Sequence, residues 1–188
     1  MKLPDGAQDR LRHLSAFRTS LHELPWFAAV GAPLGSAEQD DAAAYMRGLG
    51  LDESTIAPVA TWQVADDTIR RTDFTLKWWD EEDRIAADLM SVAVDALGRE
   101  TVGTRIANIE LAGSDHLQGV ASTALARDGL ADAGLVKSAA GSATIAVHHA
   151  ALALAAGQSG AHPFGAKFRL FQAGRWPLGV YGNVFYVF

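Results

Sequence analysis

The sequence predicts a mainly α-helical fold: a bundle of about six or seven helices with a short β-hairpin at its C-terminal end. Apolar residues recur at steps of three and four along most of the chain, which is typical of amphipathic helices. Glycine, proline and capping residues divide this pattern into segments of ordinary helix length. The last residues instead form two β-prone runs around Gly182-Asn183, which indicates a hairpin.

The composition is that of one folded domain, which we expect to span residues 1–188. Hydrophobic residues make up 49% of the chain and charged residues 20%, so it can bury a sizeable core. The formal net charge is −6 and basic residues form no run, which argues against binding to nucleic acids or to anionic membranes. The chain has no cysteine, which excludes disulfides, thiol catalysis and cysteine-ligated metals.

Two segments bear on localisation. Residues Met1 to Leu14 are polar and charged and contain no signal-peptide core. Residues Ala139 to Gly157 carry no Asp, Glu, Lys or Arg, but they consist mostly of Ala, Gly and Ser. Leu, Ile, Phe and Val, which drive membrane insertion, are sparse there. We therefore expect a soluble, cytoplasmic protein in which this segment is a buried helix.

Three helices are predicted in the first part of the chain. The first runs from Asp9 to Leu24 and is stopped by Pro25. The second runs from Ser36 to about Arg47, with its first residue as the N-cap and Gln39 at the spacing of a capping box. The third runs from Ala57 to Arg71, because its apolar residues form one helical stripe.

The middle of the chain is predicted to hold the longer helices. Asp80 to Leu97 has one polar and one apolar face. Thr101–Ala112 and Ser114–Arg127 are either two helices or one helix kinked at Gly113-Ser114. Leu135–Ala156 is predicted to be the central helix of the bundle, because its small side chains let neighbouring helices approach closely.

The C-terminal segment combines a helix and a hairpin. Phenylalanines at i, i+4 and i+7 favour a helix over residues 163–172, and a strand over residues 167–172 is the alternative. Leu178–Tyr181 and Val184–Val187 flank a two-residue turn and predict the hairpin. Because a lone hairpin is marginally stable in water, we expect it to pack against the helices.

Acidic residues cluster directly after Trp78-Trp79, from Asp80 to Asp83, and include Glu82. Carboxylate oxygens suit Mg²⁺ or Ca²⁺, and paired carboxylates suit general acid–base catalysis. A helix that begins at Asp80 explains the same residues, since acidic side chains are favoured at helix N-termini. We prefer this explanation because the cluster lacks the ligand spacing of an EF-hand.

His148-His149 lies inside the most apolar predicted helix. Adjacent helical residues point about 100° apart, so the pair is poorly placed to bind one metal ion together. We expect one histidine to face the core, where Asp115 or His116 is a candidate partner, and the other to face solvent. With no metal-binding motif, neither a metal nor a cofactor is expected; if a metal were bound, the candidate ligands would be His148, His116 and Glu82.

Two further segments carry candidate binding residues. Ser114 as an N-cap explains Asp115-His116, and the segment lacks the strand–turn–helix setting of a serine hydrolase. Arg175-Trp176 places a cation beside an indole, which suits a recognition surface. The alternative is that Trp176 packs in the core while Arg175 caps a helix or pairs with an acidic residue.

Three hypotheses about function follow. The lack of a catalytic motif and the aromatic tail from Trp176 to Phe188 favour a non-catalytic helical protein that associates with a protein partner or with itself. The first alternative is a metal-dependent or acid–base enzyme, built from the histidines and carboxylates named above. The second is a small-molecule-binding domain with a pocket between helices, lined by Trp62, Trp78 and Trp79.

Overall fold

The computed structural model describes residues 6–71, 74–158 and 160–188. This part of the chain has the predicted mainly α fold, with seven α-helices and three β-strands. The helices are α1 Ala7–Ser20, α2 Ser36–Gly48, α3 Trp62–Ile69, α4 Leu76–Leu97, α5 Arg99–Arg127, α6 Ala133–Ala155 and α7 Pro163–Gln172. The strands are β1 Thr55–Pro58, β2 Pro177–Tyr181 and β3 Val184–Val187, and a short 3₁₀ helix, Leu21–Glu23, follows α1.

Helix α6 is the central helix of the bundle, as predicted. It packs against α1, α4, α5 and α7. Most of its buried residues are alanines, including Ala139, Ala143, Ala146 and Ala151. Because alanine adds little bulk, the neighbouring helices pack closely around α6, and dispersion contacts compensate for the small apolar area of each side chain.

Helix α6 is also long and apolar enough, by length and composition, to cross a membrane; its most apolar window has a mean hydropathy of 1.2. In the fold, 61% of that window is buried. Core helices and membrane spans share this length and composition, and the burial favours a core helix.

A three-stranded sheet in the order β1-β3-β2 packs against α2, α3 and α7. Strands β2 and β3 form the predicted hairpin, and they pair antiparallel around Gly182-Asn183. Strand β1 adds to the hairpin in parallel, with Thr55 opposite Val184 and Pro58 opposite Val187. The sheet therefore joins the first third of the chain to its C-terminus.

The prediction of one helix from Ala57 to Arg71 is wrong in its first third. Residues 55–58 form β1, and α3 begins only at Trp62, where the Thr61 side chain accepts a hydrogen bond from the Val64 backbone N–H. Val59, which fits the helical stripe by spacing, instead donates its backbone N–H to Val187. The pairing with a strand distant in sequence overrides the local pattern.

Other helix ends also differ from the prediction. The N-cap of α2 is Gly35 rather than Ser36, and the side chain of Glu38 rather than Gln39 accepts the Gly35 backbone N–H. Helix α4 begins at Leu76 instead of Asp80, because Thr75 is held by a backbone hydrogen bond to Val180 in the hairpin. The acidic cluster is therefore inside α4 and does not cap it.

The structure also decides between the alternatives that the sequence left open for residues 101–127 and 163–172. Residues 99–127 form the single helix α5, which continues through Gly113. Ser114 is consequently a mid-helix residue and does not act as an N-cap. Residues 163–172 form helix α7, with Pro163 in the first turn and the His162 side chain as its cap.

The aromatic tail closes the core. Trp176, Phe185 and Phe188 are each at most 1% exposed. The indole of Trp176 packs against Trp62 and Phe27, with ring centroids 5.7 and 6.3 Å apart. These aromatic side chains stabilise the domain interior and are not available to a partner.

Candidate functional site

Five side chains with polar groups meet in the domain interior and are called the buried cluster below: Tyr45, Trp78, Glu82, His149 and Lys167. Glu82 is 1% exposed and Lys167 4%. The Lys167 ammonium donates to Glu82 Oε1 at 2.6 Å, and the Tyr45 hydroxyl donates to the same oxygen at 2.6 Å. Trp78 Nε1 donates to the Tyr45 hydroxyl at 2.7 Å, which completes a chain of hydrogen bonds.

The four helices that supply the buried cluster explain why it forms. Trp78 and Glu82 are four residues apart on α4 and therefore lie on one face. Tyr45 comes from α2, His149 from α6 and Lys167 from α7. A carboxylate in an apolar interior is stable only when it is paired and hydrogen-bonded, and Lys167 and Tyr45 provide both.

Burial shifts the protonation equilibria of two members of the buried cluster. Burial, followed by the nearby Glu82 charge, raises the pKa of Tyr45 well above its ordinary value. Burial, followed by the charge of Lys167, lowers the pKa of His149 from 6.5 to about 2. Tyr45 is therefore a neutral donor and His149 a neutral imidazole at physiological pH.

His149 is buried, with its ring stacked on Phe164 at a centroid distance of 4.0 Å and an interplanar angle of 8°. Its Nδ1 lies 3.7 Å from Glu82 Oε1, which is too long for a hydrogen bond, and no other group in the described residues bonds to it. The structure thus fulfils the expectation that one histidine faces the core. Its neighbours are Glu82 and Phe164, and not Asp115 or His116.

A cavity of about 400 Å³, called the aromatic cleft, borders the buried cluster on one side. Its apolar walls are formed by Ile69, Phe74, Trp78, Trp79, Ile145, Trp176, Pro177 and Leu178. Its polar lining consists of two lysines, Lys137 and Lys167, and two serines, Ser138 and Ser142, which come with Gly141 from α6 and α7. No carboxylate is among these lining residues.

A second cavity, of about 380 Å³, is called the histidine cavity and shares Trp79 and Ile145 with the aromatic cleft. Its other lining residues are Glu82, Asp83, Glu110, Thr144, His148 and His149. No lysine or arginine is among them. Two neighbouring cavities of opposite lining charge therefore flank the Glu82–Lys167 pair.

Of the other predicted site residues, His148 lines the histidine cavity, whereas Asp115 and His116 are not among its lining residues. His148 hydrogen-bonds Glu110 at 2.5 Å, whereas His116 packs against His22 with a centroid distance of 4.9 Å. Asp115 is exposed on α5. Among the described residues, no group of three or more His, Asp or Glu side chains is placed to hold a metal ion. The candidate set of His148, His116 and Glu82 does not assemble.

Arg175 has a structural role in the fold. It is 4% exposed, and its guanidinium donates to Glu38 and to the backbone carbonyls of Ala29, Ala32 and Pro33. The hydrogen bond from Arg175 is the main cause that lowers the pKa of Glu38. The guanidinium therefore ties the loop before α2 to the segment before β2, and it is not part of a recognition surface.

Two members of the buried cluster, Lys167 and Tyr45, were not among the residues that the sequence singled out. A signal for Lys167 exists: it follows Phe164 by three residues and so shares the apolar stripe of α7. A charged residue on an apolar stripe needs a buried partner, which here is Glu82. Trp62 also differs from the expectation, because it packs in the core at 1% exposure and does not line the cleft.

The fold and site define a mainly α domain with a buried ion pair between two cavities of opposite charge. Compared with known proteins, the chain matches no family model, no curated protein and no solved structure.

Proposed function

We propose that this protein binds a small, largely apolar molecule that carries an anionic or hydrogen-bond-accepting group, and that the aromatic cleft is its site. The observation that carries the proposal is the lining of the cleft. In a chain of net charge −6, the polar groups of the cleft are two lysines and two serines, all of them hydrogen-bond donors. Its volume lies within the range of about 300–1,000 Å³ that is typical of ligand pockets.

Lys167 is the group that we expect to recognise the ligand. An ammonium has three N–H donors, and within the described residues Glu82 is the hydrogen-bond acceptor found for one of them. The Tyr45 and Trp78 rings lie 5.4 and 5.6 Å from Nζ and stabilise the cation. Glu82 and Tyr45 thereby act as positioning residues that hold Lys167 at the floor of the cleft.

The two other hypotheses have less support. The hypothesis of association with a protein partner or with a second copy was based on exposed aromatic side chains in the tail. Trp176, Phe185 and Phe188 are buried, so this hypothesis stays a prediction that the aromatic tail no longer supports. A metal-dependent enzyme lacks a ligand set in the described part of the chain. An acid–base enzyme would need a proton acceptor that touches the substrate. In the buried cluster the Glu82 carboxylate is paired with Lys167, and the low pKa of His149 makes its imidazole a weak base.

Matched probes test the proposal: indole-3-acetate, the uncharged indole-3-ethanol and the cationic tryptamine. Calorimetric titration should give indole-3-acetate an affinity at least about tenfold higher than that of indole-3-ethanol, because one charge-assisted hydrogen bond contributes that much. Equal affinities of the acid and the alcohol would contradict the proposed role of Lys167.

A blocking variant locates the binding. Gly141 lines the cleft, and a Cβ added to it meets no atom within 4 Å, so α6 has room for a side chain at this position. We expect the ring of Gly141→Phe to occupy the cleft. We expect this variant to lose indole-3-acetate binding. Gly103→Phe on α5 is the matched control, because Gly103 is equally open and lies outside the cleft. Retained binding in Gly141→Phe would overturn the assignment.

A further inference from the structure

The histidine cavity has features of a second binding site. Its lining carries carboxylates where that of the aromatic cleft carries lysines, so it favours a positively charged ligand. Helix α4 contributes Glu82 and Asp83, α5 contributes Glu110, and α6 contributes His148 and His149. Its volume of about 380 Å³ far exceeds the ~30 Å³ of a single water molecule, so a lone water does not fill it.

His149 supplies an observation that is independent of the carboxylates. It is 7% exposed and lines the cavity, and its Nδ1 has no hydrogen-bond partner in the described residues. A buried polar atom without a partner is costly, and a bound ligand is one way to satisfy it. The stacking on Phe164 fixes the ring, and the low pKa of His149 keeps one of its nitrogens available as an acceptor.

The carboxylates retain unused acceptor capacity. The Lys167 and Tyr45 hydrogen bonds both go to Glu82 Oε1, and none of the described donors bonds to Oε2. Glu110 Oε1 is hydrogen-bonded to His148 Nδ1, while Asp83 forms no ion pair in the described part of the chain. Trp79, which is 42% exposed, provides an aromatic surface at the same cavity.

We propose that the histidine cavity binds a small organic cation, a primary amine on a short apolar chain. The ammonium donates to Nδ1 of His149 and to the carboxylates of Asp83 and Glu110, and the chain lies against Trp79 and Ile145. An ammonium suits this lining better than a metal ion does, because it pairs with separated acceptors and an aromatic ring. A metal ion needs several ligands within about 2–2.6 Å of one point.

Nuclear magnetic resonance titration with butylammonium tests the proposal, with 1-butanol and butyrate as uncharged and anionic controls of the same size. We expect butylammonium to shift the His149 imidazole and Trp79 indole signals in a saturable manner, and the two controls to leave them unchanged. Equal shifts with 1-butanol would overturn the proposal, as would shifts with Zn²⁺ or Mg²⁺ in the absence of any response to butylammonium.

Charge-removing variants complete the test. Asp83→Asn/Glu110→Gln should weaken butylammonium binding at least about tenfold, since it removes two charge-assisted acceptors. The fold should persist, because Asp83 is exposed and the Glu110 side chain is 36% exposed. Asp95→Asn is the matched control, an exposed α4 carboxylate outside the cavity. Unchanged binding in the double variant would refute the assignment.

The proposals for the two sites can be contradicted independently of each other. Gly141→Phe should abolish binding of indole-3-acetate and leave binding of butylammonium intact, whereas Asp83→Asn/Glu110→Gln should do the reverse. Loss of butylammonium binding in Gly141→Phe would place the amine in the aromatic cleft and so overturn the second site. Absence of indole-3-acetate binding alone contradicts only the function proposed for the cleft.

Discussion

At the scale of single residues, the ionisable groups of the buried cluster depend on one another. Glu82 is almost fully buried, and its charge is tolerated because Lys167 and Tyr45 both donate to it. Removing one partner of a buried ion pair leaves the other charge without compensation, which costs far more than an intact pair contributes. The pair therefore fixes the relative positions of α4 and α7, and it need not increase the net stability of the domain.

Lys167→Met tests this dependence. We expect the single substitution to lower the free energy of unfolding by about 3–5 kcal/mol, because Glu82 is left buried without a cation. Lys167→Met/Glu82→Gln should recover most of that loss, since a neutral amide can still accept from Tyr45. Urea denaturation of the three proteins measures the difference. A double variant no more stable than the single one would contradict the pairing.

His149 makes stability depend on pH. The folded protein holds its pKa at about 2, whereas the unfolded chain protonates the ring near 6.5. The stability that this residue contributes is therefore complete above pH 6.5 and is lost as the pH falls towards the folded-state pKa. We expect the unfolding free energy to drop by about 2 kcal/mol between pH 7 and pH 5 on account of His149.

His149→Phe is the control for this pH dependence, because it keeps an aromatic ring against Phe164 and removes the titrating group. Burial also lowers the pKa of His116 and His162, but their contributions are common to both proteins. Denaturant unfolding of the two proteins at pH 7, 6 and 5 isolates the effect of His149. If the unfolding free energy changes with pH to the same extent in both proteins, the His149 ring is not held neutral in the fold.

At the scale of the elements, α2 and α7 pack closely because a glycine lies at their contact. A Cβ added to Gly48 would lie 2.5 Å from Cβ of Pro163, which is a rigid ring atom at the start of α7. This contact brings Tyr45 of α2 and Lys167 of α7 within reach of Glu82. The geometry of the buried cluster thus depends on a residue outside it.

Gly48→Ala should destabilise the domain by about 1–3 kcal/mol, because the methyl group forces α2 and α7 apart. Gly103→Ala in α5 is the matched control: its Cβ meets no atom within 4 Å, and we expect a gain of up to about 1 kcal/mol from helix propensity. Thermal or urea denaturation of both variants measures the contrast. Equal effects of the two substitutions would show that the close approach is absent.

Elements with local causes could be predicted from the sequence, and elements with distant causes could not. The alanine-rich α6, the phenylalanine stripe of α7 and the hairpin turn at Gly182-Asn183 are all determined by neighbouring residues. Strand β1 was mistaken for a helix because its parallel partner, β3, lies at the other end of the chain. The first turn of α4 was missed for the same reason, since the hairpin fixes Thr75.

At the scale of the whole molecule, the separation of charge between the two cavities comes from packing. Lys137 and Lys167 are distant from each other in sequence and meet at the aromatic cleft, whereas Asp83 and Glu110 meet at the histidine cavity. Trp79 and Ile145 stand between the two groups. The net charge of −6 does not predict this arrangement, because it is the sum of all charges in the chain and not a description of where they lie.

The candidate site was partly predictable. Glu82 and His149 were named from the sequence as candidate residues, and an inward-facing histidine in an apolar helix was expected. Lys167, the partner of Glu82, was not predicted, because a lone charge on the phenylalanine stripe of α7 does not identify its partner on another helix. Asp115 and His116 were predicted as partners for whichever of His148 and His149 faces the core, but the rotation of α5 about its axis directs them elsewhere.

The sequence by itself determined the helical class, the central small-residue helix and the terminal hairpin, because periodicity and turn chemistry act between residues close along the chain. Only the tertiary structure decided that the aromatic tail fills the core, that Arg175 binds a loop, and that Glu82, Lys167, Tyr45 and His149 converge. The physical reason is that burial and pairing of a charge depend on the register between helices, which is set by close packing over the whole domain.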